Sequence, residues 1–344
     1  MKALRKLKDG YGNIDIVDLP KPIPGKGEVL VEVKFTGICG TDIHIFNGRY
    51  SKTRPPVTLG HEFSGVVAEL GPDVDNWEVG DRITSETSAY FCGKCRYCKD
   101  GMTQLCEDRL GFGYAADGAF AQFIKVNSGL LHKLPDQISF REAALCEPLA
   151  VATHVVMERS SVKPGDIVLV AGPGTIGNMV AQVAKAVGAI VIVSGVEKDK
   201  ERLLLAKKQG VDYCVQLDKE DLYEKVAGLT DGYGADVAFE CTGVAAGLDD
   251  CIRCLHKGGE LVSVGLHGKP MEMDIDNLTL REINLVGSFA HNKASWIKAI
   301  ELLDKRKVQL EPVIAGEYPL DSWQEPFKLF DEGKGLKYLL YPIT

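Results

Sequence analysis

Ile167-Val-Leu-Val-Ala171 is a run of five apolar, mostly β-branched residues; Gly172-Pro-Gly174-Thr175-Ile176-Gly177 follows without a break, and Asn178–Val187 is rich in alanine and valine. Strand, glycine-rich turn and helix in that order give each glycine a separate job. The first makes the turn, the second lets the backbone approach a pyrophosphate, and the third lets the helix pack on the strand. The helix opens at Thr175 and Ile176 with free N–H groups and the positive end of its dipole toward those phosphates. Gly172, Gly174, Thr175, Ile176 and Gly177 are therefore expected to bind a dinucleotide.

Five further apolar runs follow: Ile190–Ser194, Tyr213–Gln216, Val237–Glu240, Leu261–Val264 and Ile283–Gly287, separated by helical stretches such as Glu201–Gln209. Near-continuous apolar strands alternating with helices predict a doubly wound parallel sheet covered on both faces, an α/β Rossmann domain over 151–289. Upstream the texture differs. Residues 1–150 read as short strands and turns, with Glu28–Phe35 and Phe63–Leu70 alternating like half-buried strands, and predict a β-rich catalytic domain. The mixed pattern of 290–344 is assigned to a return to that domain.

The ribose of a dinucleotide is read by an acid about 20 residues beyond the glycines. Glu197 is the nearest carboxylate, one or two residues past the expected place in Ser194-Gly195-Val196-Glu197-Lys198. The reading favours NAD with Glu197 as ribose partner; NADP is the alternative, with Lys198 or Arg202 receiving its 2′-phosphate.

Composition narrows the class. In 344 residues, 45% hydrophobic and 26% charged residues describe a globular chain with a sizeable core, and a net charge of -8 leaves no uniform basic face for nucleic acid. No apolar run approaches the roughly 18 residues of a membrane span, and the opening MKALRKLKDGYG lacks the apolar core of a signal peptide. The expected location is the cytoplasm. Ten cysteines with tight Cys-x-x-Cys spacing then favour metal over cross-links.

Cys92, Cys95, Cys98 and Cys106 lie within fifteen residues, flanked by Cys39 and His61-Glu62 upstream and Glu147 downstream. Four thiolates close a structural zinc site, whereas a catalytic zinc needs mixed ligands and an open position. Two zinc ions are expected, one of each kind.

On Cys39-Gly-Thr41-Asp42, Gly60-His61-Glu62, the four-cysteine spacing, Ala144-Leu-Cys-Glu147-Pro-Leu and the glycine turn, the chain resembles the zinc-dependent medium-chain dehydrogenase/reductases, and within them the polyol (sorbitol-type) and threonine dehydrogenases. That resemblance implies a GroES-like catalytic domain, a homo-oligomer (dimer or tetramer) and hydride transfer between a small secondary alcohol and a nicotinamide. It implies Cys39 and His61 as zinc ligands, Glu62 in or beside the ligand set, and Glu147 in place of the third ligand of simple alcohol dehydrogenases. It also implies a proton relay through the Thr41 hydroxyl and the His44 imidazole. For Asp42 the reading is an orienting contact to His61 or a loop cap.

The chain departs from the sorbitol-type pattern at Ile45-Phe46 and at Ala290-His291-Asn292, where an arginine-tyrosine pair is expected. His291 and Asn292 are candidates to replace those contacts. Arg49, Lys52 and Arg54 leave room for a phosphorylated polyol or a carboxylate, and a threonine-type amino alcohol is a further alternative. A reading from another class is a non-catalytic, zinc-stapled dinucleotide sensor or scaffold, which would have no use for Thr41, His44 and an open metal site.

Overall fold

A computed structural model describes residues 1–342. The chain forms two compact units, one of residues 1–147 with the chain from Leu310 on, the other Pro148–Gln309. Among the described residues no helix is long and apolar enough to cross a membrane.

The first unit is built on a seven-stranded sheet whose centre is β1 (Glu28–Gly37). A short helix, α1 (Gly40–Phe46), follows β1, and β2 (Glu62–Leu70) returns antiparallel beside it. Alternation along β1 sends Val29, Val31 and Val33 into one core with Phe63, Val67, Ile83 and Ile124. On its other edge β1 pairs with Lys337–Tyr341, Leu339 opposite Gly37, so the sheet is completed from the far end of the chain. Helix α2 (Cys146–Met157) begins where this unit ends.

The second unit carries a six-stranded, wholly parallel sheet: β3 (Ile167–Ala171), β4 (Ile190–Gly195), β5 (Tyr213–Gln216), β6 (Ala235–Glu240), β7 (Leu255–Ser263) and β8 (Asn284–Gly287). Their spatial order is β5-β4-β3-β6-β7-β8, the order of a dinucleotide-binding sheet, with its topological switch between β3 and β6. Val168, Leu169 and Val170 are fully buried, as strands covered on both faces must be. Each such side chain contributes about 1.5–3 kcal/mol on leaving water. Helix α3 (Thr175–Val187) covers the sheet after the glycine turn, and α4 (Ala245–Cys254) packs Leu248 and Ile252 into the core with Leu169, Ile192 and Leu261.

Residues 290–309 lie in the second unit, so the chain returns to the first at Leu310 rather than at 290. The helix Lys293–Asp304 buries Trp296, Ala299 and Leu303, and Asn292 at its start donates to Glu158.

Candidate active site and metal centres

The loop 92–106 folds around its own sulfurs. The Sγ atoms of Cys92, Cys95, Cys98 and Cys106 all lie within 4.8 Å of one another, and Cys92 and Cys98 are 4.0 Å apart. Tetrahedral zinc with Zn–S bonds of about 2.3 Å sets its sulfurs about 3.8 Å apart, so the donor set fits the ion. Backbone N–H groups point at the sulfurs: Cys95 donates to Cys92 (3.3 Å) and Cys98 to Cys95 (3.5 Å). Donation from Lys94 and Cys95 lowers the Cys92 thiol to about 7, whereas burial and the neighbouring Cys95 push the Cys98 thiol up to about 12, so with no ion bound the sulfurs share protons.

The second cluster lies where β1, α1 and β2 meet, with Cys39, His61 and Glu62 offering ligand atoms within 4.8 Å of one another. Asp42 Oδ2 accepts the Cys39 N–H (2.9 Å), closing the start of α1 and holding the cysteine at its mouth. Asp42 thus serves as a cap, and it also belongs to the buried charge cluster. Burial pushes its carboxyl up, against the pull of His61 and the Cys39 N–H. His61 shows the converse: burial opposes a charged imidazole, yet Cys39, Asp42 and Glu147 raise its pKa well above the ordinary value. The Nδ1 atom of His61 and the Oδ1 atom of Asp42 are buried with no hydrogen-bond partner. A thiol, an imidazole and a carboxylate gathered around one point fit a dication.

Glu62 is engaged from behind. Lys337 Nζ lies 2.5 and 2.6 Å from its two carboxylate oxygens, and the same ammonium donates to the Ile38 carbonyl (2.9 Å). Burial works against that ammonium, but its interactions with Glu62, Cys39 and Glu147 hold its pKa above the usual lysine value, while burial raises the Glu62 carboxyl against the pull of Lys337. Sequence reading had passed over Lys337. Glu147 is nine-tenths buried and felt electrostatically by His61, Glu62 and Lys337, though it is not part of the tight three-residue set. The adjacent Cys146 is wholly buried, and burial pushes its thiol up to about 12.

Thr41 Oγ1 lies 3.7 Å from Cys39 Sγ, and His44, three residues on and so on the same face of α1, is exposed. Tyr50, also missed in the sequence, stands edge-on to Tyr114 (5.2 Å between ring centroids). Burial, Tyr114 and the charge of Cys39 push its hydroxyl up to about 12. Arg109 donates to the Tyr114 hydroxyl (2.7 Å). Arg49, Lys52 and Arg54 are exposed on either side of Tyr50. Phe46 packs edge-on against Trp323 and Phe327. His291 and Asn292 have structural engagements: the buried His291 accepts the Trp296 indole N–H (2.7 Å), and Asn292 Oδ1 caps the following helix through the Ser295 N–H (2.9 Å).

In the second unit a cavity of about 330 Å³ opens beyond the ends of β3, β4 and β6. Gly172, at φ +95°, turns the chain out of β3. A Cβ on Gly177 would stand 1.9 Å from the Gly172 carbonyl oxygen, whereas one on Gly174 would meet nothing within 4 Å. The third glycine permits packing; the second leaves a cradle, with α3 opening beside it at Thr175 and Ile176. These features fit a pyrophosphate. Glu197 does not line this cavity, and its carboxylate accepts from the Gln216 amide.

Comparison with known proteins gives two family matches: the alcohol dehydrogenase GroES-like domain over residues 25–136 and the zinc-binding dehydrogenase domain over 175–305. A sorbitol dehydrogenase of Halalkalibacterium halodurans is 42% identical over the full length of both chains. A D-arabitol-phosphate dehydrogenase of Enterococcus avium is 40% identical, over 99% of this chain and 97% of its own. Among solved structures, a zinc-binding dehydrogenase of Sinorhizobium meliloti bound to NADP superposes with a TM-score of 0.90 at 32% identity, over 99% of both chains.

Proposed function

Because the chain belongs to the zinc-containing alcohol dehydrogenase family, we propose that it interconverts a polyol or related secondary alcohol and its ketone by hydride exchange with a nicotinamide dinucleotide. The observation that carries this reading is the cluster of Cys39 with the buried His61 and Glu62, Glu147 nearby. Cys39, His61 and Glu147 would hold a zinc ion, with Glu62 beside it. Zinc supplies a Lewis acid for the substrate oxygen. A second, four-thiolate zinc at Cys92, Cys95, Cys98 and Cys106 is structural.

The chain's own residues handle the proton. Thr41, beside Cys39, takes it from the alcohol, and His44, one turn further along α1 and exposed, passes it to solvent. Asp42 fixes Cys39 through its N–H, and the Lys337 ammonium neutralises Glu62 so that the ligand pocket does not carry an unbalanced charge. Gly172, Gly174, Thr175, Ile176 and Gly177 receive the pyrophosphate.

The relative named sorbitol dehydrogenase supports a polyol substrate. The exposed Arg49, Lys52 and Arg54 around Tyr50, itself close enough to feel Cys39, favour a phosphorylated polyol as the second reading. The exposed Leu285 on edge strand β8 and Phe289 beyond it support a homo-oligomer, and thiols gathered as metal ligands suit a reducing cytoplasm.

The test combines metal analysis with turnover on polyols, polyol phosphates and L-threonine. Wild type should carry two zinc ions per chain. Cys39→Ala and His61→Ala should each carry one, lose turnover, and keep dinucleotide affinity within a few-fold, because the glycine turn belongs to the other unit. Turnover by a Cys39→Ala protein lacking that zinc would overturn the mechanism.

A further inference from the structure

We propose that the adenosine end of the cofactor cavity is built for a ribose 2′-phosphate, so that the chain selects NADP(H) over NAD(H). The inference rests on the dinucleotide reading above and adds the identity of the group at the end of β4.

A ribose bearing free hydroxyls is normally recognised by a carboxylate at the end of the second strand, and that same carboxylate repels a 2′-phosphate. Here the strand ends in Ser194 and Gly195. No acidic side chain fits at 195 without rearrangement, since a Cβ there would stand 2.9 Å from Pro173 Cγ and 3.1 Å from Asp199 Cβ. Glu197, the nearest candidate, is drawn aside: its carboxylate takes the Gln216 amide, stands 3.6 Å from Lys219 Nζ, and forms no part of the cavity wall.

The wall carries cations in its place. Lys198 and Arg202 both line the cavity next to Gly195 and Val196. Lys198 is exposed and makes no ion pair or hydrogen bond among the described residues, which leaves its ammonium available. Two carboxylates also line the cavity. Asp199 is committed, its Oδ2 taking the Val196 N–H (3.3 Å) and its Oδ1 the Arg202 guanidinium (3.2 Å). Asp250 reaches the cavity from α4, an element other than the one that follows β4. Next to Gly195 the Lys198 ammonium therefore stands without a partner among the described residues, while Arg202 is shared with Asp199, and a phosphate gives that ammonium a counter-charge that a hydroxyl would not.

Calorimetric titration of the purified full chain with 2′,5′-ADP and with 5′-AMP isolates this contact from catalysis. The expected result is that 2′,5′-ADP binds about tenfold or more tightly than 5′-AMP, with a preference that shrinks as salt rises. Lys198→Ala should remove most of that preference, leave 5′-AMP binding unchanged and, the residue being exposed, leave the melting temperature unchanged. Glu197→Gln should alter neither affinity. Equal binding of the two nucleotides, a preference that survives Lys198→Ala, or a Glu197→Gln variant that loses 5′-AMP alone would each overturn the proposal. Failure of both nucleotides to bind would overturn the dinucleotide reading beneath it, a different result from equal binding.

Discussion

Lys337 and Glu62 form the most consequential pair of side chains in the first unit, because both are almost wholly inaccessible and each is the other's counter-charge. Removing one partner leaves the other as a buried ion, a loss of about 3–5 kcal/mol, far above that of an exposed pair. Lys337→Met should therefore lower unfolding free energy in urea by that amount, and adding Glu62→Gln should recover a substantial part of it. A single mutant as stable as wild type would show that the pair does not bear on stability. Glu62 was legible because it follows His61 in a recognisable trio, but Lys337 lies 275 positions away and no local pattern links them. The available signal was a lone lysine inside Leu336-Lys337-Tyr-Leu-Leu-Tyr341, where a strand otherwise apolar must find that charge a partner. Glu197 shows the opposite case: spacing singles it out, but only side-chain direction reveals that its carboxylate turns to Gln216.

At the scale of one element, the turn between β3 and α3 separates two glycines that a motif treats alike. Gly177→Ala forces a methyl against a backbone carbonyl 1.9 Å away, so α3 has to shift from the sheet. Gly174→Ala meets open space at an ordinary φ of -66°. The expectation is that Gly177→Ala lowers the melting temperature by several degrees, whereas Gly174→Ala leaves it unchanged and weakens dinucleotide binding about tenfold or more by occupying the cradle. Thermal denaturation and nucleotide titration of the two variants check both halves. Elements of this sheet were readable where β-branched residues run unbroken: Ile167–Ala171 and Tyr213–Gln216 agree residue for residue with β3 and β5. The strand β7 starts at Leu255, six residues before the expected Leu261, because His256-Lys-Gly-Gly259 interrupts the apolar pattern while the backbone stays extended. The helix Lys293–Asp304 belongs to the second unit although the mixed pattern of 290–344 assigns it to the first, since a local pattern does not identify the surface an element covers.

Across the whole molecule, the loop 92–106 shares no ligand with the other cluster, and the two metal sites should fail differently. Cys95→Ser breaks a closed four-sulfur site whose loop has few apolar groups of its own to order it. Its melting temperature should fall by several degrees while the folded fraction retains most of its turnover, the reverse of Cys39→Ala. Loss of turnover at an unchanged melting temperature would contradict the structural assignment. The order of the β strands also has a temporal meaning. A ribosome that has released residues 1–309 has supplied every strand of the parallel sheet, yet the other sheet still lacks Ile314–Pro319 and Lys337–Tyr341. At roughly 5–20 residues per second, Glu62 waits for Lys337 through the synthesis of all of Pro148–Gln309. The nascent chain thus acquires a complete nucleotide-binding sheet before its buried acid receives a counter-charge, which makes the ligand pocket a late product of translation.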